Sequence, residues 1–168
     1  MPNYRCVRVP GGTYFFTVVT YQRCPVLTSG PTRKALCTAI DAVRKAHPFQ
    51  AEAWVSLPDH LHCLWRLPEG DADYSIRWAK IKRLTRHVLG FRPAEKLWQP
   101  RYWEHLIRDD SDYERHIDYV HWNPVKHGMA KTAAAWPYST IHRFIESGAY
   151  SRDWGASENQ FISQEWGE

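Results

Sequence analysis

The sequence predicts an α+β fold, with one antiparallel four-stranded sheet and packed helices. The chain has 168 residues, 43% of them hydrophobic and 9 of them Trp, which is the size and composition of one domain with a substantial core. Apolar residues recur with strand and helix periods in the order β-α-β-β-α-β-α. Only Pro58-Asp59 separates the two middle strands, which is too short for a parallel crossover, so these strands should pair antiparallel. The helices then pack on one face of the sheet or on both.

The first half of the chain supplies three strands and one helix. Residues 13–21 are aromatic and β-branched throughout, which is typical of a strand buried on both faces. Residues 32–46 carry apolar side chains at helical spacing, and Pro48 follows the predicted end. Residues 50–57 and 60–67 alternate well enough to be the second and third strands.

The second half begins with a helix over residues 74–89. The helix face opposite the predicted apolar stripe carries basic residues and no acidic residue. This face is either simply exposed to solvent or a surface for phosphate contacts. Residues 102–108 alternate as a fourth strand, and Asp109-Asp110-Ser111 supplies an N-cap for a third helix from Tyr113 onward. The predicted apolar stripe of the 74–89 helix is Tyr74, Trp78, Ile81, Leu84 and Val88, and the basic arc is Lys80, Lys82, Arg83, Arg86 and His87.

Charge and cysteine content limit the classes of protein. The formal net charge of +4 and pI of about 8.9 are compatible with a polyanionic partner without establishing one. The four cysteines form no Cys-x-x-Cys pair, and no signal peptide precedes the first strand, so we expect reduced thiols in a cytoplasmic protein. No apolar run approaches the roughly 20 residues of a membrane span.

His60 and His62 are two residues apart on the predicted third strand. Side chains at i and i+2 share one face of a strand, so the two imidazoles should project together while Leu61 and Cys63 face the core. Two imidazoles on a rigid strand form half of a metal site. Alternatively, one His caps the Pro58-Asp59 turn and the other is a surface residue.

Tyr119 and Asn123 are four residues apart on the third helix and should lie one above the other. Because Asn123 precedes a proline, it should sit in the last helical turn or just beyond it. This arrangement would present a phenol and an amide oxygen side by side at a cleft. The alternative is a buried tyrosine and a helix C-cap.

Several motifs occur in an order that resembles the HUH single-tyrosine transposases, and most closely their REP-associated tyrosine transposase branch, where REP denotes a repetitive extragenic palindrome. The resemblance covers about residues 4–150 and implies a ferredoxin-like (RRM-like) sheet of four to five strands, of the HUH endonuclease type. The motifs are Pro58-Asp59-His60-Leu61-His62, Leu97-Trp98-Gln99, Tyr102-Trp103-Glu104-His105, Ile107-Arg108-Asp109, the run from Asp118 to Gly128, and Trp136-Pro137-Tyr138-Ser139.

The resemblance also implies roles for individual residues. Tyr119 matches the nucleophile, His60 and His62 match the metal-binding pair, and Asn123 stands where a further ligand often completes the site. The implied cofactor is a divalent ion, Mg²⁺ or Mn²⁺, although imidazole also accepts Zn²⁺. Glu104 stands where relatives commonly have Asp and receives no role.

The implied function is a metal-dependent single-stranded DNA transesterase that cleaves and rejoins DNA at REP hairpins through a 5′-phosphotyrosine. We expect a monomer, with a dimer as the alternative. A non-catalytic hairpin-binding module and a metal-dependent DNA hydrolase are the competing hypotheses. The predicted catalytic domain covers residues 1–144 and a tail covers 145–168, either flexible or packed near the site. Predicted DNA contacts are Arg5, Arg8, Lys80, Lys82, Arg83, Arg86 and Lys126, while His121 and His127 are expected to contact phosphate or to pack.

Overall fold

A sheet of four antiparallel strands forms the centre of the computed structural model, which describes residues 8–156. The strands are β1 (Thr13–Val19), β2 (Gln50–Ser56), β3 (His60–Arg66) and β4 (Trp103–Leu106). Their spatial order is β2-β3-β1-β4, so the two central strands are β3 and β1. This is the ferredoxin-like arrangement, and the predicted fold class is confirmed.

The helices pack on both faces of the sheet. The longer helices are α1 (Gly30–Ala46), α2 (Tyr74–Val88) and α3 (Asp110–Lys126), and a short α4 (Ile141–Glu146) follows. Along β1, Phe16 contributes to the core beneath α1 and α2, whereas Phe15 faces α3, because successive strand side chains alternate between faces. Leu61 and Cys63 lie in the same core as Phe16, as predicted from the alternation of β3.

The buried face of α2 differs from the predicted stripe. Val88 is 49% exposed, while Arg77 and Thr85 are fully buried. Arg77 is accommodated because its guanidinium donates five hydrogen bonds, two to the Asp71 carboxylate and three to backbone carbonyls at the end of α1 and the start of α2. A charged group can be buried when it is fully hydrogen-bonded, and a pattern of apolar residues does not reveal this.

The start of α3 follows the predicted cap closely. Asp109 is the N-cap, and its carboxylate accepts a hydrogen bond from the Asp112 backbone N–H at 2.8 Å. At the other end the helix continues through Pro124 to Lys126, and Asn123 therefore lies in the last turn. The prediction for Asn123 is confirmed, but the helix extends three residues beyond it.

The segment after α3 returns to the sheet edge and to the outer side of α3. The Trp136 indole N–H donates to the Ser56 carbonyl at 2.9 Å, and Ser139 forms a β-bridge with Val55. Farther along, the Tyr150 hydroxyl donates to the Asp118 carboxylate on α3. The rest of the predicted tail, residues 157–168, lies outside the described residues. Across residues 8–156, no helix is long and apolar enough to cross a membrane.

Candidate active site

His60 and His62 project from β3 toward α3, and their ring centroids are 4.9 Å apart. They are only 3% and 0% exposed, so the alternative that placed one of them on the surface is wrong. The sheet itself buries His62, because β3 is central and Thr17 of β1 lies directly opposite. The β-strand geometry predicted from the i, i+2 spacing is therefore present.

Each imidazole is oriented by a contact at Nδ1. Thr17 Oγ1 is hydrogen-bonded to His62 Nδ1 at 2.8 Å, and the Asp59 carboxylate contacts His60 Nδ1 at 2.7 Å. A carboxylate or hydroxyl on one ring nitrogen fixes the ring and increases the basicity of the other nitrogen, as in many metal sites. Nε2 is then the nitrogen of each ring that suits a ligand.

Three side chains of α3 face this pair from successive turns. The Tyr119 ring meets the His62 ring edge-on with centroids 5.3 Å apart, and the Asn123 amide lies against the same imidazole. One turn later, Lys126 Nζ donates to the Tyr119 hydroxyl at 3.3 Å. The structure therefore brings both histidines, the tyrosine, the asparagine and one predicted DNA-contacting lysine together.

The electrostatics keep His62 neutral. Burial lowers its pKa well below the usual value, and the neighbouring positive or ionisable groups of His60, His127 and Lys126 lower it further, while the Asn123 amide acts in the opposite direction. A neutral imidazole at physiological pH retains the lone pair that a metal ion requires.

The polar atoms at the centre of the site fit a cation. Within the part of the chain that the structure describes, His62 Nε2 and both amide atoms of Asn123 are buried and make no hydrogen bond of normal geometry. Buried polar groups are nearly always hydrogen-bonded, so such atoms side by side need an explanation. An imidazole nitrogen and an amide oxygen are suitable ligands for a divalent ion.

Glu104 does not belong to this site. It lies opposite Phe16 in the pairing of β1 with β4, and residues directly opposite share a face. Its side chain therefore lies with the core of α1 and α2, on the other side of the sheet from His60 and His62.

Most of the predicted DNA-contacting residues also lie away from the site. They belong to α2, which packs on the face opposite α3. Lys82 donates to the Gln99 carbonyl, and burial lowers its pKa to about 8. Arg83 is exposed. The remaining basic side chains make contacts within the protein: Lys80 with His47, Arg86 with the carbonyls of Arg92 and Pro93, and Arg8 with Ser75; Arg5 lies outside the described residues.

His121 and His127 have different surroundings. The His127 ring lies 5.2 Å from the His60 ring, at the candidate site. His121 packs against Phe144 on the other side of α3, and its Nε2 is hydrogen-bonded to Thr140 Oγ1 at 2.9 Å. Burial, with Arg143 and His142 nearby, lowers the pKa of His121 to about 3, so this ring is a neutral packing residue.

A second group of side chains has the geometry to hold a metal ion and was not predicted from the sequence. One ligand atom from each of His105, Asp112 and His116 lies within 4.8 Å of the other two. The pair Asp112 and His116 has the i, i+4 spacing that places two ligands on one helical face, and that signal was available in the sequence. The contribution of His105 depends on how β4 leads into α3.

Comparison with known proteins finds relatives over nearly the whole chain. A REP-associated tyrosine transposase of Escherichia coli K12 is 45% identical over 166 residues, covering 98% of each chain. A Haemophilus influenzae protein named provisionally for the same family is 39% identical and covers 94% of this chain and 95% of its own. A solved structure of a REP-associated tyrosine transposase bound to a REP hairpin superposes with a TM-score of 0.86 at 44% identity, over 99% of this chain and 98% of that one. No protein-family model matches.

Proposed function

The chain belongs to the REP-associated tyrosine transposases, as its motifs predicted, and we propose that it cleaves and rejoins single-stranded DNA at REP hairpins through a covalent 5′-phosphotyrosine on Tyr119. The observation that carries this proposal is the position of the Tyr119 phenol, between the buried His62 ring and the Lys126 ammonium. A phenol held against a metal-binding pair and a cation is arranged for attack on a phosphodiester.

The proposed reaction exchanges one ester for another. The Tyr119 oxygen attacks phosphorus, the bond from phosphorus to the 3′ oxygen breaks, and the 5′ phosphate stays on the tyrosine. The phenol loses one proton and the departing 3′ oxygen gains one. Because no water is consumed, a 3′-OH can later attack the phosphotyrosine and restore a DNA strand.

The residues around Tyr119 have different roles in the proposed reaction. His60, His62 and Asn123 would hold the divalent ion, Mg²⁺ or Mn²⁺, whose chemistry there is withdrawal of charge from a non-bridging phosphate oxygen. Lys126 would stabilise the negative charge that develops on the phenol oxygen, in addition to the DNA contact predicted for it. Thr17 and Asp59 fix the two imidazole rings.

One chain supplies all of these groups, so the proposed site needs no second copy, which favours a monomer. The hairpin seen on the solved relative supports a REP-type hairpin as the partner of this chain too. Because α2 and Tyr119 lie on opposite faces of the sheet, DNA that contacts the basic arc of α2 would have to pass around a sheet edge to reach the phenol. Both named relatives are bacterial proteins, and a chain of this family that acts on bacterial chromosomal DNA would work in the cytoplasm.

The test uses end-labelled single-stranded DNA that carries a REP hairpin and its flanking bases, with Mg²⁺ or Mn²⁺. Denaturing electrophoresis should show label that migrates with the protein, and both Tyr119→Phe and chelation should abolish it. Tyr113→Phe is the matched control, because Tyr113 lies on the same helix with its hydroxyl bonded to Glu52 instead of facing the site.

The other hypotheses give different results in the same gel. Cleaved DNA without a protein adduct, retained in Tyr119→Phe, would indicate a hydrolase that uses water. Retarded but intact DNA, with binding unaffected by Tyr119→Phe or chelation, would indicate a binding module.

A further inference from the structure

Two imidazoles and a carboxylate meet where β4 leads into α3. His105 Nε2 lies 2.8 Å from Asp112 Oδ2, and His116 Nδ1 lies 3.2 Å from Asp112 Oδ1. His116 and Asp112 are 0% and 3% exposed, while His105 is partly exposed. The proposed catalytic mechanism uses none of these three side chains.

The fold builds this cluster from three separate features. His105 lies opposite Phe15 in the pairing of β1 with β4, so its side chain is on the α3 face of the sheet. Asp112 lies in the first turn of α3, and its carboxylate also accepts the Arg108 backbone N–H at 3.0 Å. His116 follows Asp112 by one helical turn and therefore shares its face.

The surroundings of Asp112 and His116 lower the pKa of both groups. Burial alone would raise the pKa of Asp112, but hydrogen bonds from His105 and from the Arg108 N–H outweigh it and hold that pKa below the usual value. Burial lowers the pKa of His116.

We propose that His105, Asp112 and His116 form a second metal site, which binds one divalent transition-metal ion such as Zn²⁺. Two imidazole nitrogens and one carboxylate oxygen are a common Zn²⁺ ligand set, with a water molecule completing the coordination sphere. Two nitrogen ligands favour Zn²⁺ over Mg²⁺, which prefers oxygen. The proposed site is separate from the site proposed for His60 and His62, which lie on β3.

Three adjustments accompany binding. His116 Nδ1 lies 2.8 Å from the backbone carbonyl oxygen of Asp112, and to bind an ion through this nitrogen the ring must release that contact together with its proton. The His105 and His116 rings stack at 4.6 Å with only 13° between their planes, so their lone pairs run nearly parallel and one ring must turn. His105 is the ring that can turn, because it belongs to a four-residue strand at the edge of the sheet and is partly exposed. The Arg115 guanidinium, 3.6 Å from Asp112 Oδ1 and half exposed, must move toward solvent.

An ion at this position would join β4 to α3 one turn before Tyr119. The His116 ring also packs on Phe15 at 4.9 Å, and Phe15 packs on both the His62 ring at 5.5 Å and the Tyr119 ring at 5.9 Å. The second site would therefore stabilise the packing that holds the proposed nucleophile against the histidine pair.

The test measures Zn²⁺ binding by tag-free protein in the absence of DNA, by equilibrium dialysis and by the shift in unfolding temperature. His62→Ala removes the first site, and His105→Gln removes the most exposed ligand of the second with little effect on folding. His87→Gln, at an exposed position on α2, is the matched control for the loss of one histidine.

We expect two ions on the wild-type chain and on His87→Gln, one on each of His62→Ala and His105→Gln, and none on the double variant. Zn²⁺ should still raise the unfolding temperature of His62→Ala, but not that of the double variant. The proposal is overturned if His62→Ala binds no ion, or if His105→Gln binds as many ions as the wild-type chain. Because no DNA is present, this result does not depend on the chemistry of Tyr119.

Discussion

Replacing Lys126 by Met is expected to slow the attack of Tyr119 on DNA about tenfold. Lys126 Nζ donates to the Tyr119 hydroxyl at 3.3 Å and lies 5.0 Å from the centre of its ring. When the phenol attacks phosphorus, negative charge passes through its oxygen, and a nearby ammonium stabilises that charge more than it stabilises the neutral phenol.

The magnitude follows from the length of this contact. A hydrogen bond that involves a charged group contributes about 1.5–3 kcal/mol, and each 1.36 kcal/mol changes a rate tenfold. The 3.3 Å separation is longer than the usual 2.7–2.9 Å of a charge-assisted bond, so the lower end of about 1.5 kcal/mol applies.

The assay is a single-turnover measurement of adduct formation with protein in excess over hairpin DNA. Saturating protein separates the rate of attack from the affinity for DNA. Lys126→Arg keeps the charge and should retain more activity than Lys126→Met. Lys131→Met, at an exposed position just after α3, should leave the saturated rate unchanged.

Equal saturated rates for Lys126→Met and wild type, with only the DNA affinity reduced, would refute this reasoning. Lys126 would then only contact the DNA backbone, which is the role predicted for it from the sequence.

Three further predictions concern stability and are measured by urea unfolding, with Arg83→Met on the exposed side of α2 as the shared control. Arg77→Met should lower the free energy of unfolding by about 2 kcal/mol, because the hydrogen bonds of the buried guanidinium to the Pro48 carbonyl and the Asp71 carboxylate are lost; a loss within 0.5 kcal/mol of the control would contradict this. Burial lowers the pKa of Lys82 from 10.5 to about 8, so the folded chain loses this proton at a lower pH than the unfolded chain does. The free energy of unfolding should therefore rise by about 1 kcal/mol between about pH 7.5 and 9.5, and Lys82→Met should remove this rise. Gly155→Ala should cost about 1–2 kcal/mol, because Gly155 has a φ of +78° and an added Cβ would lie 3.2 Å from the Trp122 ring; an unchanged urea midpoint would argue against that strain.

The sequence pattern predicted the four strands and the three longer helices that the structure describes, because the helices bury one regular face and the strands are rich in apolar and β-branched residues. It failed at Arg77, where burial depends on acceptors from the end of α1 and from Asp71. Those acceptors are up to 30 residues away along the chain, and no local pattern encodes them. The prediction for Val88 was wrong for the converse reason: Val88 continues the apolar stripe of α2, but it lies beyond the part of this helix that is buried.

The candidate site was predicted in halves. Local spacing placed His60 with His62 and Tyr119 with Asn123, because i, i+2 on a strand and i, i+4 on a helix are geometric necessities. That the two halves meet was implied only by the family resemblance, since it depends on α3 crossing the face of β3. For the same reason His105 could not be joined to its helical partners from spacing alone.

At the end of α3 the helix continues past a proline, and the candidate site depends on the extra turn. A proline disfavours helix at the preceding residue, so a helix is expected to stop near Asn123. Instead the turn continues, because the Met129 N–H donates to the Pro124 carbonyl at 2.8 Å and the His127 N–H donates to the Asn123 carbonyl at 3.0 Å. This extra turn places Lys126 seven residues after Tyr119, on the same helical face. A helix that ended at Asn123 would keep the phenol and the amide, but it would lose the ammonium that contacts the phenol oxygen.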